Sequence, residues 1–288
     1  MNRSGVAIAV RGLFFLFCLL FLSVPGRGQA AAPGSGFLTP ARAHDLVARA
    51  LANEIRATES PGPPMSFWLR RSTPRLTTTK KIVETSEGDV ARLISVNGKP
   101  LDAAAEQREA ARLVGLLSDP SRQMDRKQSE DADTARALKV LRALPTAFLY
   151  QYTGSGGGPA GELERFTFKP NPAFNPSDIE LHVLTAMAGD LWIDPAAERV
   201  VRLEGHLQHG VDFGWGILGH LNKGGWIRIE QADVGDHHWR TVRLELKMTG
   251  RVLFFTKVYD TEEEESHFSL LPADVNYHQA IQMLRADP

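Results

Sequence analysis

The 288-residue chain carries 33 basic and 34 acidic residues, a formal net charge of −1, with one cysteine and 43% hydrophobic residues. So even a charge balance gives no basic face of the kind a nucleic-acid binder presents. A single cysteine excludes a disulfide scaffold or a multi-thiolate metal centre.

Arg3 and Arg11 make a positive N-terminal region without an acidic residue. Leu13 to Val24 is then an apolar run about twelve residues long, the size of a signal-peptide core and short of the ~20 residues that cross a bilayer. Pro25 and Gly26 break the helix, and Gly28-Gln29-Ala30 places small residues at −3 and −1. Residues 1–30 therefore read as a cleavable signal peptide cut after Ala30, with an uncleaved membrane anchor as the alternative. Phe17 before Cys18 does not fit a lipoprotein signal, so Cys18 leaves with the leader. The leader also removes Arg3, Arg11 and Arg27, three of the 33 basic residues. The mature chain, 31–288, then has 30 basic against 34 acidic, a net of −4, and no cysteine. It is expected in the periplasm or outside the cell, without a membrane span, as a single domain stabilised by an ordinary core.

Thr39-Pro40 reads as a helix N-cap with proline at the first position, and Leu46, Val47, Ala50, Leu51 and Ile55 continue at helical spacing over 40–58. Ser66–Arg71, Arg75–Ser86 and Asp89–Asn97 read as strands, with turns at Glu87-Gly88 and Asn97-Gly98. Residues 101–143 are a helical insertion, broken at Asp119-Pro120, whose stretch Gln123–Asp133 reads as solvent-facing. From Pro145 onward strands are expected. Gly154–Gly158 is read as a flexible loop between two of them, Leu191–Ile193 and Arg199–Gln208 as a hairpin, and Trp226–Ala232 and Trp239–Met248 as further strands. Thr249-Gly250 reads as a tight turn into Arg251–Tyr259, Glu262–Glu265 as a solvated turn, Ser266–Leu271 as a last strand, and Asp274–Arg285 as a closing helix.

Alternation sets the sheet. Val201, Leu203 and Leu207 oppose Arg202, Glu204, His206 and Gln208, and Val242, Leu244, Leu246 and Met248 oppose Thr241, Arg243, Glu245 and Lys247. Period two of this kind is an antiparallel sheet with one apolar and one wet face. The turn at Thr249-Gly250 would bring Leu253 and Phe255 onto the apolar face. The fold expected is α+β: one large curved antiparallel sheet, an incomplete β-barrel, with the helices on its concave face.

Leu191-Trp192-Ile193-Asp194-Pro195 followed by Arg199–Leu207, in a chain ordered as signal peptide, helix, paired strands, helices and a long antiparallel run, resembles the LolA-like superfamily of periplasmic proteins. The likeness covers about residues 40–272. It implies a half-barrel with a helical lid and an apolar cavity for a lipid, an acyl chain or a lipidated partner. None of that family's functional residues carries over to a position here. On this basis Leu203, Leu207, Leu244, Leu246, Leu253 and Phe255 are candidates for the cavity lining, and Trp192, Trp215 and Trp226 for its rim. The alternative is a sensory or protein-interaction module in the manner of RseB, in which the helical segment 101–143 contacts an envelope partner and deleting it leaves the sheet folded.

Other chemistry is weakly represented. Gly214–Gly219 matches G-x-G-x-x-G, but Lys223-Gly224-Gly225 follows where the phosphate-binding helix should start. His206, His209, His220, His237 and His238 do not share a strand face as zinc ligands would. Gly154-Ser155-Gly156 gives no fixed nucleophile, and G-x-S-x-G is absent. No catalytic residue, metal site or cofactor is predicted.

Overall fold

A computed structural model describes residues 38–158, 161–213, 219–252 and 255–286. The proposed leader lies outside the described residues. In chain order the elements are α1 (Pro40–Glu59), β1 (Met65–Ser72), β2 (Thr77–Val83), β3 (Val90–Val96), β4 (Lys99–Pro100), α2 (Ala103–Leu117) and α3 (Pro120–Ala147). Then come β5 (Phe148–Gly158), β6 (Gly161–Pro170), a 3-10 helix (Ile179–Ala186), β7 (Met187–Asp194), β8 (Arg199–Leu207), β9 (Val211–Phe213) and β10 (Gly219–Leu221). The chain closes with β11 (Trp226–Asp233), β12 (Trp239–Val252), β13 (Phe255–Leu270) and α4 (Tyr277–Ala286). The fold is α+β. Its thirteen described strands pair in the order β4-β3-β2-β1-β13-β12-β11-β8-β7-β6-β5, with β10 attached to β12 and β9 to β10. The order is open, ending at β4 and β5. No described helix is long and apolar enough to cross a membrane.

The chain divides into two compact units, one holding Pro61–Lys139 and the residues from Glu262 onward, the other the residues up to Ser60 and Val140–Thr261. In the first unit, β1, β2 and β3 form a meander. Consecutive positive φ at Asn97 (51°) and Gly98 (73°) make the tight β3–β4 hairpin turn expected of Asn-Gly. Ile82 and Val83, and Val90 and Ala91, alternate across the sheet, and all four are buried. One face packs Val83 and Val90 against Leu113 and Leu116 of α2 and Tyr277, Ala280, Ile281 and Leu284 of α4. The other clusters Phe67, Leu69, Ile82 and Ala91 with Phe268.

Asp102 caps α2 by accepting from Ala105 N at 2.7 Å. β4 pairs only with Ser95 and Val96, so the rest of that β3 edge lacks a strand neighbour. Two side chains of α2 supply the missing bonds: Glu109 Oε1 accepts from Leu93 N at 2.7 Å, and Arg112 donates to Ala91 O. This covers an edge that would otherwise template pairing with another chain.

Two expectations fail in this unit. The run Glu262–Glu265 is not a turn but part of β13, where Arg70 faces Glu264 at 2.9 Å and Arg71 faces Glu263 at 3.2 Å. Opposite charge across adjacent strands makes an acidic strand tolerable. Gln123–Asp133 is not simply solvent-facing, because Gln123 is buried at 2% exposure and Glu130 accepts from Asp89 N. A deletion of residues 101–143 would remove Leu113 and Leu116 from the cluster that packs against β2 and β3.

In the second unit, α1 begins as the sequence requires, with Thr39 Oγ1 accepting from Arg42 N and Pro40 in the first turn. α3 runs two residues past Pro145, within its last turn, where a missing N–H costs little. Gly154–Gly158 is not a loop: it continues β5, pairing Gly156 with Leu163 and Gly158 with Gly161. Ladder bonds come from the backbone and need no side chains. Thr249-Gly250 is not a turn either. β12 passes straight through, because β10 pairs with Gly250–Val252 on its flank. A Cβ on Gly250 would lie 2.6 Å from His220 O, so glycine there permits close strand approach.

Candidate functional site

The site is built on the apolar face of the second unit. Register places Tyr152, Phe166, Leu191, Leu203, Ile229 and Leu244 in one row across β5, β6, β7, β8, β11 and β12. The next row is Tyr150, Phe168, Gly189, Gly205, Ile227 and Leu246. Beyond it Met187 faces Leu207, with Met248 also buried. Gly189 and Gly205 stand directly opposite each other, and a Cβ on Gly189 would meet backbone while one on Gly205 would displace the Met187 side chain. One on Gly189 would sit 1.8 Å from Glu204 O, and one on Gly205 would strike Met187 Sδ at 2.7 Å. The glycine pair therefore lets two strands approach closely while Met187 fills the space above Gly205.

Cover over these rows is uneven. α1 packs on β5, β7 and β8, burying Leu46, Val47, Ala50 and Leu51. It is pinned by one buried carboxylate. Glu54 accepts from Arg199 Nε at 2.9 Å and Nη2 at 3.0 Å, from Val200 N at 3.0 Å and from Gln231 Nε2 at 3.0 Å. Four donors satisfy a charge that burial would otherwise make costly. On the β5–β7 side the row is closed: Phe166 and Leu191 are each 1% exposed. Farther along, Leu203, Ile229, Leu244 and Leu246 are only half-buried. The apolar rows thus continue beyond their helical cover.

The β5–β6 side ends in polar groups held neutral or paired. Burial pushes the Tyr150 phenol up, and its hydroxyl donates to Leu144 O at 3.1 Å. Burial and the neighbouring Glu164 push Tyr152 up to about 12, and its hydroxyl donates to Glu164 Oε2 at 2.6 Å.

The opposite face is polar, with two tryptophans. Arg165, Trp192, Arg202, Glu230 and Arg243 form one row, and Thr167, Asp190, Glu204, Arg228 and Glu245 the next. Trp192 lies between Arg165 and Arg202, with the guanidinium carbons 5.3 and 4.9 Å from its ring centre. Burial works against the Glu204 carboxylate, but hydrogen bonds from Arg202 and Arg228 hold it below the usual range.

Of the candidate lining residues, Leu203, Leu207, Leu244 and Leu246 fall on the apolar face, Leu207 buried and the other three half-buried. The register expected for Leu253 and Phe255 fails with the turn at Thr249-Gly250. Leu253 lies outside the described residues, and Phe255 is 71% exposed. Trp192 and Trp226 stand on the polar face, Trp226 stacked with Arg228, so neither borders the apolar rows as a rim residue would. Trp215 lies outside the described residues. Sequence reasoning missed Tyr150, Tyr152, Phe166 and Phe168, although both pairs alternate at period two. It also missed Glu54, whose partners lie 145 and 177 residues away along the chain.

These features define an α+β protein with an open antiparallel sheet, one face apolar and incompletely covered by helix. No protein-family model and no curated protein matches the sequence. Among solved structures the chain is similar to an outer membrane lipoprotein-sorting protein domain from Vibrio parahaemolyticus, at 10% identity and TM-score 0.30, over 82% of this chain and 97% of that one. It is similar to a DUF1329 family protein from Desulfovibrio piger, at 9% identity and TM-score 0.30, over 81% and 94% of the two chains. It is also similar to the Pseudomonas aeruginosa MucA/MucB complex structure, at 8% identity and TM-score 0.23, over 84% and 97%.

Proposed function

We propose that the chain is an exported, non-catalytic binding protein that takes an acyl chain, as free lipid or as part of a lipidated partner, on the apolar face of its second unit. The observation that carries this reading is the half-buried Leu203, Ile229, Leu244 and Leu246, continuing two rows in which Phe166, Phe168 and Leu191 are closed. A hydrocarbon laid there removes apolar surface from water on both sides, at roughly 25 cal/mol per Å². The pinned α1 keeps the covered end of the apolar face fixed, which lowers the ordering cost of binding.

Displacement of a fluorescent fatty acid, with lipid extraction and native mass spectrometry of protein recovered from an envelope, tests the reading. Bound lipid and competitive displacement are expected, both lost in Leu244→Asp and Leu246→Asp. Repeated recovery without lipid, or displacement that ignores these substitutions, counts against it.

A second reading, docking of an envelope protein on the helical segment 101–143, is favoured by Val114 and Met124, which are 42% and 61% exposed on α2 and α3. Met124→Asp, at a largely exposed position, would abolish such a partner and leave lipid binding intact.

A further inference from the structure

The first half of α3 rests on the β2–β3 turn of the first unit. Gln123 Nε2 donates to Glu87 O at 3.1 Å and Gly88 O at 2.7 Å, and Glu130 accepts from Asp89 N at 3.1 Å. Between these anchors Arg126 is drawn in with them. Its Nε and Nη1 are buried, and neither has a hydrogen-bond partner among the described residues; Gln123 Oε1 is in the same state. Native interiors rarely leave such groups unmet, because each costs the full price of its desolvation.

The surroundings add positive charge. Lys80 sits on β2 directly between Leu69 and Leu93, so its strand neighbours give it no counter-charge. Its electrostatic neighbours are Arg71, Arg126 and Arg112, opposed by Glu109 and Glu263, while Arg126 in turn lies near Glu130 and Asp89. Glu109 is engaged by Arg112 and Leu93 N, and Glu263 by Arg71. Among the described residues Lys80 and Arg126 are therefore left without a carboxylate in contact. Burial lowers the proton affinity of both, and mutual repulsion among these cations adds to it for Lys80. Each would gain from a negatively charged group placed between them.

We propose that Arg126 and Lys80 form an anion site in the first unit that accepts a phosphate group, with Arg126 Nε and Nη1 and Lys80 Nζ as donors. Arg112 and Arg71, already neutralised, add to the positive field without holding the ligand. The site does not rest on the apolar-face reading, which concerns the other unit.

Thermal unfolding of the whole protein tests it, with inorganic phosphate compared with chloride at matched ionic strength and dihexanoyl phosphatidic acid as a second arm. A saturable rise in midpoint is expected. Arg126→Met and Lys80→Met should each weaken the apparent affinity about tenfold or more. Without phosphate, Arg126→Met should be at least as stable as the parent, because it removes an unmet buried cation. A response to free phosphate identifies an inorganic or soluble source, and a response to the lipid alone identifies a headgroup; both uphold the site. The proposal is overturned if neither ligand raises the midpoint, or if the rise survives both substitutions. It is also overturned if Arg126→Met is destabilised while the parent ignores phosphate, which would mark a structural arginine bridged by water. Should Arg126→Met fail to fold, Lys80→Met and Arg126→Lys carry the same comparison.

Discussion

The two units deal with charge in opposite ways. In the second, Arg and Glu alternate along a partly wet sheet face and neutralise one another beside two tryptophans, and the buried Glu54 is met by four donors. In the first, apolar clusters occupy both sheet faces, and charged groups intrude among them: Glu109, Glu263, Lys80 and Arg126. A sheet covered on both sides must either satisfy such groups at its edges, as Glu109 does for β3, or leave them wanting a ligand, as with Arg126. A sheet with one open face can leave its charges in water and expose its apolar side instead.

Substitutions separate the two designs. The largest effect is expected from Glu54→Ala, which leaves Arg199 and Gln231 buried without their acceptor. A loss of about 3–5 kcal/mol in urea unfolding is anticipated. A loss under ~1 kcal/mol would mean that α1 is held by packing and by its contacts to Glu198 rather than by Glu54. Ile281→Ala, at a fully buried position of the first unit, should cost roughly 2–5 kcal/mol. Leu244→Ala, on the half-buried face of the second, should cost about 1 kcal/mol or less in ligand-free protein. Equal costs would erase the distinction between a closed core and an open apolar face. The smallest stability change is expected for Arg228→Ala on the polar face, within roughly 1 kcal/mol and shrinking with added salt.

pH gives the comparison a sign. Burial raises Glu263, against the pull of Arg71 and Lys80. A carboxyl whose folded value lies above its unfolded one contributes stability that is present below the ordinary carboxylate range and is lost as pH rises through the folded value. Glu263→Gln should therefore be more stable than the parent at neutral pH, with the advantage vanishing in acid. Glu204 is lowered, so its contribution is present above the ordinary range and is lost as pH falls through the folded value. Glu204→Gln should be less stable at neutral pH, with the deficit closing in acid. Chemical denaturation at the two pH values checks both, and slopes of the same sign would contradict the assignment.

Much of the architecture was legible because local chemistry and tertiary structure agree. Thr39-Pro40 starts α1, Asp119-Pro120 separates α2 from α3, and Asn97-Gly98 turns β3 into β4. The alternations in β8 and β12 place Leu203, Leu244 and Leu246 on one face. The errors fall where a partner strand overrides a local signal. Gly154–Gly158 reads as a flexible loop and Gly250 as part of a turn, yet β6 and β10 hold them extended. The acidic run 262–265 reads as a solvated turn, yet Arg70 and Arg71 stand beside it in β1.

The sequence by itself determined the sheet's period, its apolar and polar faces and most helix ends, since these follow from dihedral preference and the spacing of side chains along one segment. Only the tertiary structure decided which rows align, which part of the apolar face α1 leaves uncovered, and which buried charges find partners. Those outcomes depend on residues from separate segments, as far apart as Glu54 and Gln231, and no local pattern encodes their meeting.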